Sequence, residues 1–409
     1  MRGSNIAGTK KWTVRTMSLA LGATLLVTPL NAFASSEHTA RPILKAPSQS
    51  QMSPLAVGQS RKLSSSELKQ LWNGIDARFS PDKAVAAVKA ALSEKEYNTL
   101  FPYRLGSVEW HKAAAGKEYD DPKQGDYYSY QNLIDAVTEA ANIKYKVSTR
   151  AGSLTAQEIY RLDKKMMKET LVVRTDDFNS KANSKQKIST QIVDFGSFLQ
   201  EGSDRDRKRD LAALLANLSH ETGGGAADSP GGELRWGLFW NQNIAGRTGV
   251  NKSNFVDAAS SKLYPGVEGK RYYGRGPIMM SWNFNYGLIS SIIYGDKNVL
   301  LKNPESVAAD GKLGFMTALI FWLTPQAPKP SAHDVMVGKW KPIREDLAKG
   351  LSPAGFGVSV MVLNGLEANL GDVDGSPIKR RAGHYRDITA RMGLNIIGEK
   401  VDTLGMKPF

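Results

Sequence analysis

Residues 203–225 read SDRDRKRDLAALLANLSHETGGG. Ser203 belongs to the residue class that caps helix N-termini. Leu211, Leu214, Leu215 and Leu218 fall at i, i+3, i+4 and i+7, the period of a helix that buries one face. Glu221 continues that stripe, seven residues after Leu214 and three after Leu218. Gly223, Gly224 and Gly225 predict the helix stop, because glycine accepts the left-handed geometry of a C-terminal cap. A carboxyl at the negative end of a helix dipole and turned towards apolar neighbours resists ionisation on both counts. That is the behaviour of a general acid at neutral pH. The competing reading is a helix-end Glu that does no more than pair with an Arg.

Three further segments bear on the choice. Residues 271–287 read RYYGRGPIMMSWNFNYG; residues 321–326 and 329–334 read FWLTPQ and KPSAHD; and Gly355-Phe356-Gly357 is followed by Asn364-Gly365 and Glu367. With the Ser-His-Glu-Thr of the first stretch, these four segments resemble, in order, the signature segments of the family 19 glycoside hydrolases, the chitinases of plants and some bacteria. Four ordered segments over about 200 residues are more specific than any single short motif. The resemblance implies a mainly α-helical, lysozyme-like domain, two lobes with a cleft between them. The residues agree independently, since 3.6-residue periods dominate over strand-type alternation.

Upstream, Arg2, Lys10, Lys11 and Arg15 precede an apolar run from Met17 to Leu30, and Ala32-Phe33-Ala34 is an A-x-A cleavage site. Residues 1–34 therefore read as an export signal, too short to span a bilayer, and a secreted or periplasmic protein is expected. With no cysteine, stability must come from the core and not from disulfides. The chain's formal charge is +14, of which the signal contributes four positive residues. That balance favours anionic surfaces such as bacterial cell wall, but no nucleic-acid module accompanies it. Residues 35–66, rich in Ser, Pro and Gln, read as a flexible linker. Residues 67–91 read as a short helical extension, opened by the capping box Ser64-Ser65-Ser66-Glu67 and by Ser80-Pro81. The catalytic domain is expected over 92–409. It carries a basic insertion at about 144–190, with eleven Lys or Arg against five Asp or Glu. Ile159, Leu162, Met166 and Met167 give that insertion a helical pattern. It reads either as an arm for an anionic substrate or as a solvated excursion.

The resemblance implies specific roles. Glu221 matches the general acid. Ser281 matches the Ser that positions the attacking water, and Asn285, Lys329 and Asn364 match sugar-contacting positions. Arg381 matches an Arg that pairs with acids around the site, Glu367 among them. Trp236 and Tyr272 match family positions and are the expected cleft walls, since sugar C–H faces stack on aromatic rings. The implied reaction is single-displacement hydrolysis with inversion, two carboxyls standing roughly 6.5–9.5 Å apart to admit a water. Here the chain departs from the pattern. The second acid falls at Asn243, or at Asn241 in another alignment, and an amide cannot take a proton from water. Glu233, on the same loop, is the nearest replacement, and Glu268 a more distant one. Met279 and Phe284 also stand where the family often has Gln and Tyr.

Three functions stay open: an exported hydrolase of chitin, a lysozyme-like hydrolase of peptidoglycan, and a glycan-binding protein that has lost its base. No cofactor is implied. His38, His111, His220, His333 and His384 lack metal-ligand spacing. A monomer without a membrane span is expected.

Overall fold

The computed structural model describes residues 54–153, 156–326, 328–370 and 376–409. The export signal and most of the linker lie outside the described residues. The chain runs β1 (Ser60–Lys62), α1 (Ser65–Trp72), α2 (Pro81–Ala91), α3 (Glu94–Leu100), α4 (Val108–Ala114) and α5 (Tyr130–Ala140). Four strands follow: β2 (Ile143–Arg150), β3 (Gln157–Asp163), β4 (Lys168–Arg174) and β5 (Ile188–Asp194). Then come α6 (Asp204–Glu221), α7 (Ile244–Arg247), α8 (Asn283–Tyr294), α9 (Asn298–Lys302), α10 (Ser306–Ala309) and α11 (Gly311–Leu323). The chain closes with α12 (Ala332–Met336), α13 (Arg344–Ala348), α14 (Phe356–Asn364) and α15 (Pro377–Arg391). The fold is mainly α, as the sequence predicts, with one small sheet. No helix among the described residues is long and apolar enough to cross a membrane.

The helix that opens the sequence argument is the axis of the molecule. Ser203 and Asp206 form a reciprocal capping box at the start of α6. The leucine stripe predicts one buried face, yet every residue from Arg209 to Ser219 is buried. Ala212, Ala213 and Ala216 fill the face away from the leucines, and their small side chains let neighbours close in all round. α15 packs along α6, and α12, α14 and α2 also touch it.

Burial on all sides forces the polar residues of α6 to find partners inside. Arg209 donates to Glu399 at 2.9 and 2.7 Å. Asp210, fully buried, accepts from Trp322 Nε1 at 2.8 Å and from His333 Nδ1 at 2.7 Å. His333 Nε2 meets Glu201 Oε2 at 3.2 Å. Burial by itself would push the imidazole down, but Asp210 and Glu201 outweigh it and raise its pKa to about 10. Glu201, His333 and Asp334 bring three potential metal-ligand atoms within 4.8 Å. Both ring nitrogens are already given to carboxylates, and Lys339 reaches Glu201 and Asp334, so each carboxylate of the cluster already has a cationic partner.

The sheet corrects the helical pattern expected in the basic insertion. Strands β2, β3 and β4 form an antiparallel meander, β5 returns to pair with β2 and β1 pairs with β4, giving the order β1-β4-β3-β2-β5, in which Tyr145 faces Arg161 and Val193. Ile159 and Leu162, three apart, lie on opposite faces, as that spacing requires in a strand. Ile159 joins the main core and Leu162 the smaller cluster with Leu63, Leu68 and Trp72 under α1. Covered on both faces, the strand lacks the alternation that would have disclosed it. Met166 and Met167 sit exposed in the turn. Part of the basic character is taken inside, while Lys165, Lys181, Lys185 and Lys187 stay exposed. Lys144 donates to the carbonyls of Trp72 and Gly74, Lys146 to that of Leu71 and Lys164 to that of Phe79. The linker also ends earlier than its composition suggests, since β1 pairs with β4. The two helices of the short extension part company: α1 covers the sheet, while α2 sends Ala84 and Val88 into the main core.

Two outcomes follow for stability. Replacing Asp210 by Ala removes the nearer of the two carboxylates that hold a buried imidazolium, and urea unfolding at pH 7 should show a loss of about 3–5 kcal/mol. Because the folded pKa of His333 lies above its unfolded value, its contribution is complete below about pH 6.5 and drains away as pH rises towards 10. The stability gap between wild type and His333→Gln should therefore narrow over that window.

Candidate active site

Glu221 is the last residue of α6, and Thr222 caps it by donating its hydroxyl to Leu218 O at 2.6 Å. The glycines that follow work by a different route from the one their type suggests. None of Gly223, Gly224 and Gly225 has a positive φ. A Cβ on Gly224 would lie 2.3 Å from the Phe239 ring, and one on Gly225 2.6 Å from Trp236 Cβ. The glycines let the returning chain pass against the helix end, where Phe239 N and Trp240 N both donate to Thr222 O, at 3.1 and 2.9 Å.

Arg381, on α15 and fully buried, is the hub. Its Nε donates to Glu367 Oε2 at 2.8 Å, and its second amino group reaches Glu367 Oε1 at 3.1 Å and Glu221 Oε1 at 2.5 Å. The remaining amino group donates to Asn217 Oδ1 at 2.9 Å. Asn364 Nδ2 donates to Glu367 Oε1 at 3.0 Å, and His220 Nε2 stands 3.8 Å from the same oxygen. One guanidinium thus serves two carboxyls, and it serves Glu367 twice. Burial raises the Glu221 pKa, the Glu367 charge raises it further, and Arg381 only partly opposes them. Glu367 is also largely buried, yet Arg381 holds it well below the ordinary carboxylate range. The two shifts run in opposite directions, so of the pair Glu221 is the carboxyl that holds a proton more readily. Burial and the Arg381 charge lower His220 to about 4, so it is neutral at physiological pH.

The other expected residues fall into two groups. Lys329 donates to Val362 O at 3.2 Å on α14, the helix that ends in Asn364, and burial lowers its pKa. Ser281 and Asn285 form the second group. Ser281 Oγ donates to Met279 O at 3.1 Å, and Asn285 Nδ2 to Ser281 O at 2.8 Å. Asn243 N donates to Gly274 O, and a Cβ on Gly274 would lie 3.3 Å from Ser281 Oγ, so the Asn243 backbone belongs to this group.

Trp236 and Tyr272 do not offer the free ring faces expected of cleft walls. Tyr272 is fully buried, its hydroxyl donating to Leu301 O and accepting from Val267 N. Trp236 stacks on Tyr103 at 4.3 Å and gives its indole N–H to Pro230 O. Glu233 stands 3.8 Å from Arg380, beside Arg381 on α15. Glu268 is exposed on its loop. The amides that replace the second acid are tied up structurally: Asn241 Nδ2 donates to Ala308 O, and Asn243 Oδ1 caps α7 through Gly246 N. Sequence reasoning missed Asn217 and His220 as members of the Arg381 cluster. The signal was present, because Asn217 lies one helical turn before Glu221.

This geometry is matched by kinship. The model of the chitinase class I family, glycoside hydrolase family 19, matches residues 162–403. The chain belongs to that family. Chitinase 9 of Oryza sativa subsp. japonica is 41% identical over 223 residues, covering 54% of this chain and 63% of the rice protein. The endochitinase of Carica papaya is 43% identical over 216 residues, 53% of this chain and 83% of the papaya protein. The chain thus spans less than two thirds of the rice relative. Chitinase C from Streptomyces griseus HUT6037 is similar at a TM-score of 0.44 and 23% identity, covering 76% of this chain and 97% of that one.

If Glu221 keeps its proton because Glu367 competes for Arg381, Glu367→Gln should release Arg381 to Glu221. The alkaline limb of the pH–activity profile should then move to lower pH. An unmoved limb would mean that burial alone sets the Glu221 proton.

Proposed function

We propose that the chain hydrolyses β-1,4-linked N-acetylglucosamine polymers, chitin in the first place, by an inverting mechanism with Glu221 as general acid. The observation that carries this reading is the largely buried carboxyl of Glu221, its side chain 10% exposed, sharing Arg381 with Glu367. A carboxylic acid kept protonated in this way can give its proton to the departing glycosidic oxygen. Family membership and the names of the two relatives, a chitinase and an endochitinase, support an endo-acting enzyme.

Ser281 suits the water-positioning role. Its hydroxyl proton is committed to Met279 O, which leaves the oxygen's lone pairs to accept from a water. Asn285, Lys329 and Asn364 are the proposed sugar contacts. Export by residues 1–34, a monomeric state and action outside the cytoplasm complete the proposal. The net charge of +14, of which residues 1–34 carry only four, supports bacterial wall as a second substrate.

Reducing-sugar release from colloidal chitin and from purified peptidoglycan tests the reading and ranks the two substrates. Glu221→Gln should lower release by about 10²–10⁴-fold while chitin binding persists. Equal, background release by wild type and variant, with binding intact, would instead indicate a lectin built on an enzyme fold.

A further inference from the structure

The lysines left exposed on the insertion are not scattered. Lys181, Lys185 and Lys187 share the loop between β4 and β5, residues 175–187. None of the three makes an ion pair with another described residue. The loop's own acids are turned elsewhere. Asp176 pairs with Lys262 at 2.6 Å, and Asp177 adds its field to the same lysine. Like charges gathered on one loop repel one another, and nothing within the described chain answers them.

The backbone under these lysines is tied down by one residue, Arg150, at the end of β2. Its Nε donates to Phe178 O at 3.1 Å, and one amino group donates to Ser184 O and Gln186 O, both at 3.2 Å. The guanidinium also lies over the ring of Phe178, 4.6 Å from its centroid, and that ring is buried. Asn183 Nδ2 donates to Asp177 O at 3.0 Å, Ser184 N to Ser180 O at 2.8 Å and Ala151 N to Lys187 O at 2.8 Å. A planar fork can serve several carbonyls at once, which a lysine cannot. The loop is therefore ordered on folding, so an anion that meets its ammonium groups need not order the chain beneath them. The loop also lies beside the stretch 257–264, through the Asp176–Lys262 pair. That stretch is bonded to the first turn of α8: Asp257 N donates to Asn283 Oδ1 at 2.9 Å, and Asn283 Nδ2 to Tyr264 O at 2.6 Å. Ser281 stands two residues before Asn283.

We propose that the 175–187 loop is a docking surface for peptidoglycan, with Lys181, Lys185 and Lys187 attracting the carboxylates of its peptides. The inference deepens, and rests on, the reading of bacterial wall as a second substrate. A lysine is a compact, hydrated point charge on a flexible stem, suited to carboxylates whose spacing varies along a polymer and that offer no fixed bidentate geometry. Chitin carries no such anions, so the loop distinguishes the two substrates: it raises the local concentration of wall at the enzyme and leaves chitin unaffected. A lipid surface fits less well, because the loop presents no exposed large apolar side chain to enter a bilayer.

The test is co-sedimentation of the full chain with phosphate-free peptidoglycan, comparing wild type with the combined variant Lys181→Gln, Lys185→Gln and Lys187→Gln. At low salt the variant should bind about tenfold more weakly. The gap should close as salt approaches 1 M, where the screening length falls to about 3 Å. Binding to colloidal chitin and sugar release from it should be unchanged, which also shows that the variant folds. Arg150→Lys keeps the charge and all three lysines but loses the fork, and it should weaken wall binding in the same direction. Wild-type wall affinity in the combined variant, or an equal loss on chitin, overturns the proposal, and wild-type affinity in Arg150→Lys overturns the pre-ordering. A loss seen only on walls that retain phosphate polymers, or only on phosphatidylglycerol vesicles, overturns the choice of partner. A wild type that binds peptidoglycan through these lysines yet releases no sugar from either substrate fails the hydrolase reading and leaves the docking surface standing.

Discussion

One buried guanidinium divided between two carboxyls is the constraint on which the site depends. Arg381 is sealed from solvent, so its charge cannot be left without a counterion. Glu367 satisfies it with two hydrogen bonds, and Asn217 and Glu221 complete its coordination. With one positive charge and two acids in a desolvated space, the favourable charge state holds one anion and one neutral carboxyl. Geometry decides which is which. The acid with two bonds to the guanidinium is the readier to ionise, and the one at the helix end, with a single bond, is the readier to hold a proton.

The rest of the architecture serves that placement. α6 holds Asn217 and Glu221 one turn apart, α15 brings Arg381 alongside, and the short turn after α14 brings Glu367. Small residues on α6 and glycines after it allow the close approach of the neighbouring elements. At the far end of the same helix, Asp210, His333 and Trp322 apply the same rule, charge buried only where charge and hydrogen bonds answer it. The sheet stands apart from the cluster around Arg381 and packs its strands against α8, which starts two residues after Ser281.

Much of this was legible in the sequence, and the failures are instructive. The leucine period located α6 and Glu221, and the capping pairs located helix starts, because those signals are local. The sheet was not legible, since strands buried on both faces lose alternation, and Ile159 and Leu162 can then mimic a helix face. Trp236 and Tyr272 were misplaced as cleft walls because an aromatic at a family position says nothing about which ring face its neighbours cover. Glycines 223–225 were recognised as a stop, but the reason lies in the Phe239 and Trp236 rings pressed against them, a contact no local pattern encodes.

The account stands most directly on the proton of Glu221. A carbon-13 NMR titration of the Glu221 side-chain carboxyl, identified by its loss in Glu221→Gln, measures that proton without any assumption about substrate. A midpoint clearly above the ordinary Glu value of 4.5 is the predicted result. A midpoint at or below that value would show Arg381 serving both acids as anions and would contradict the assignment of Glu221 as the acid.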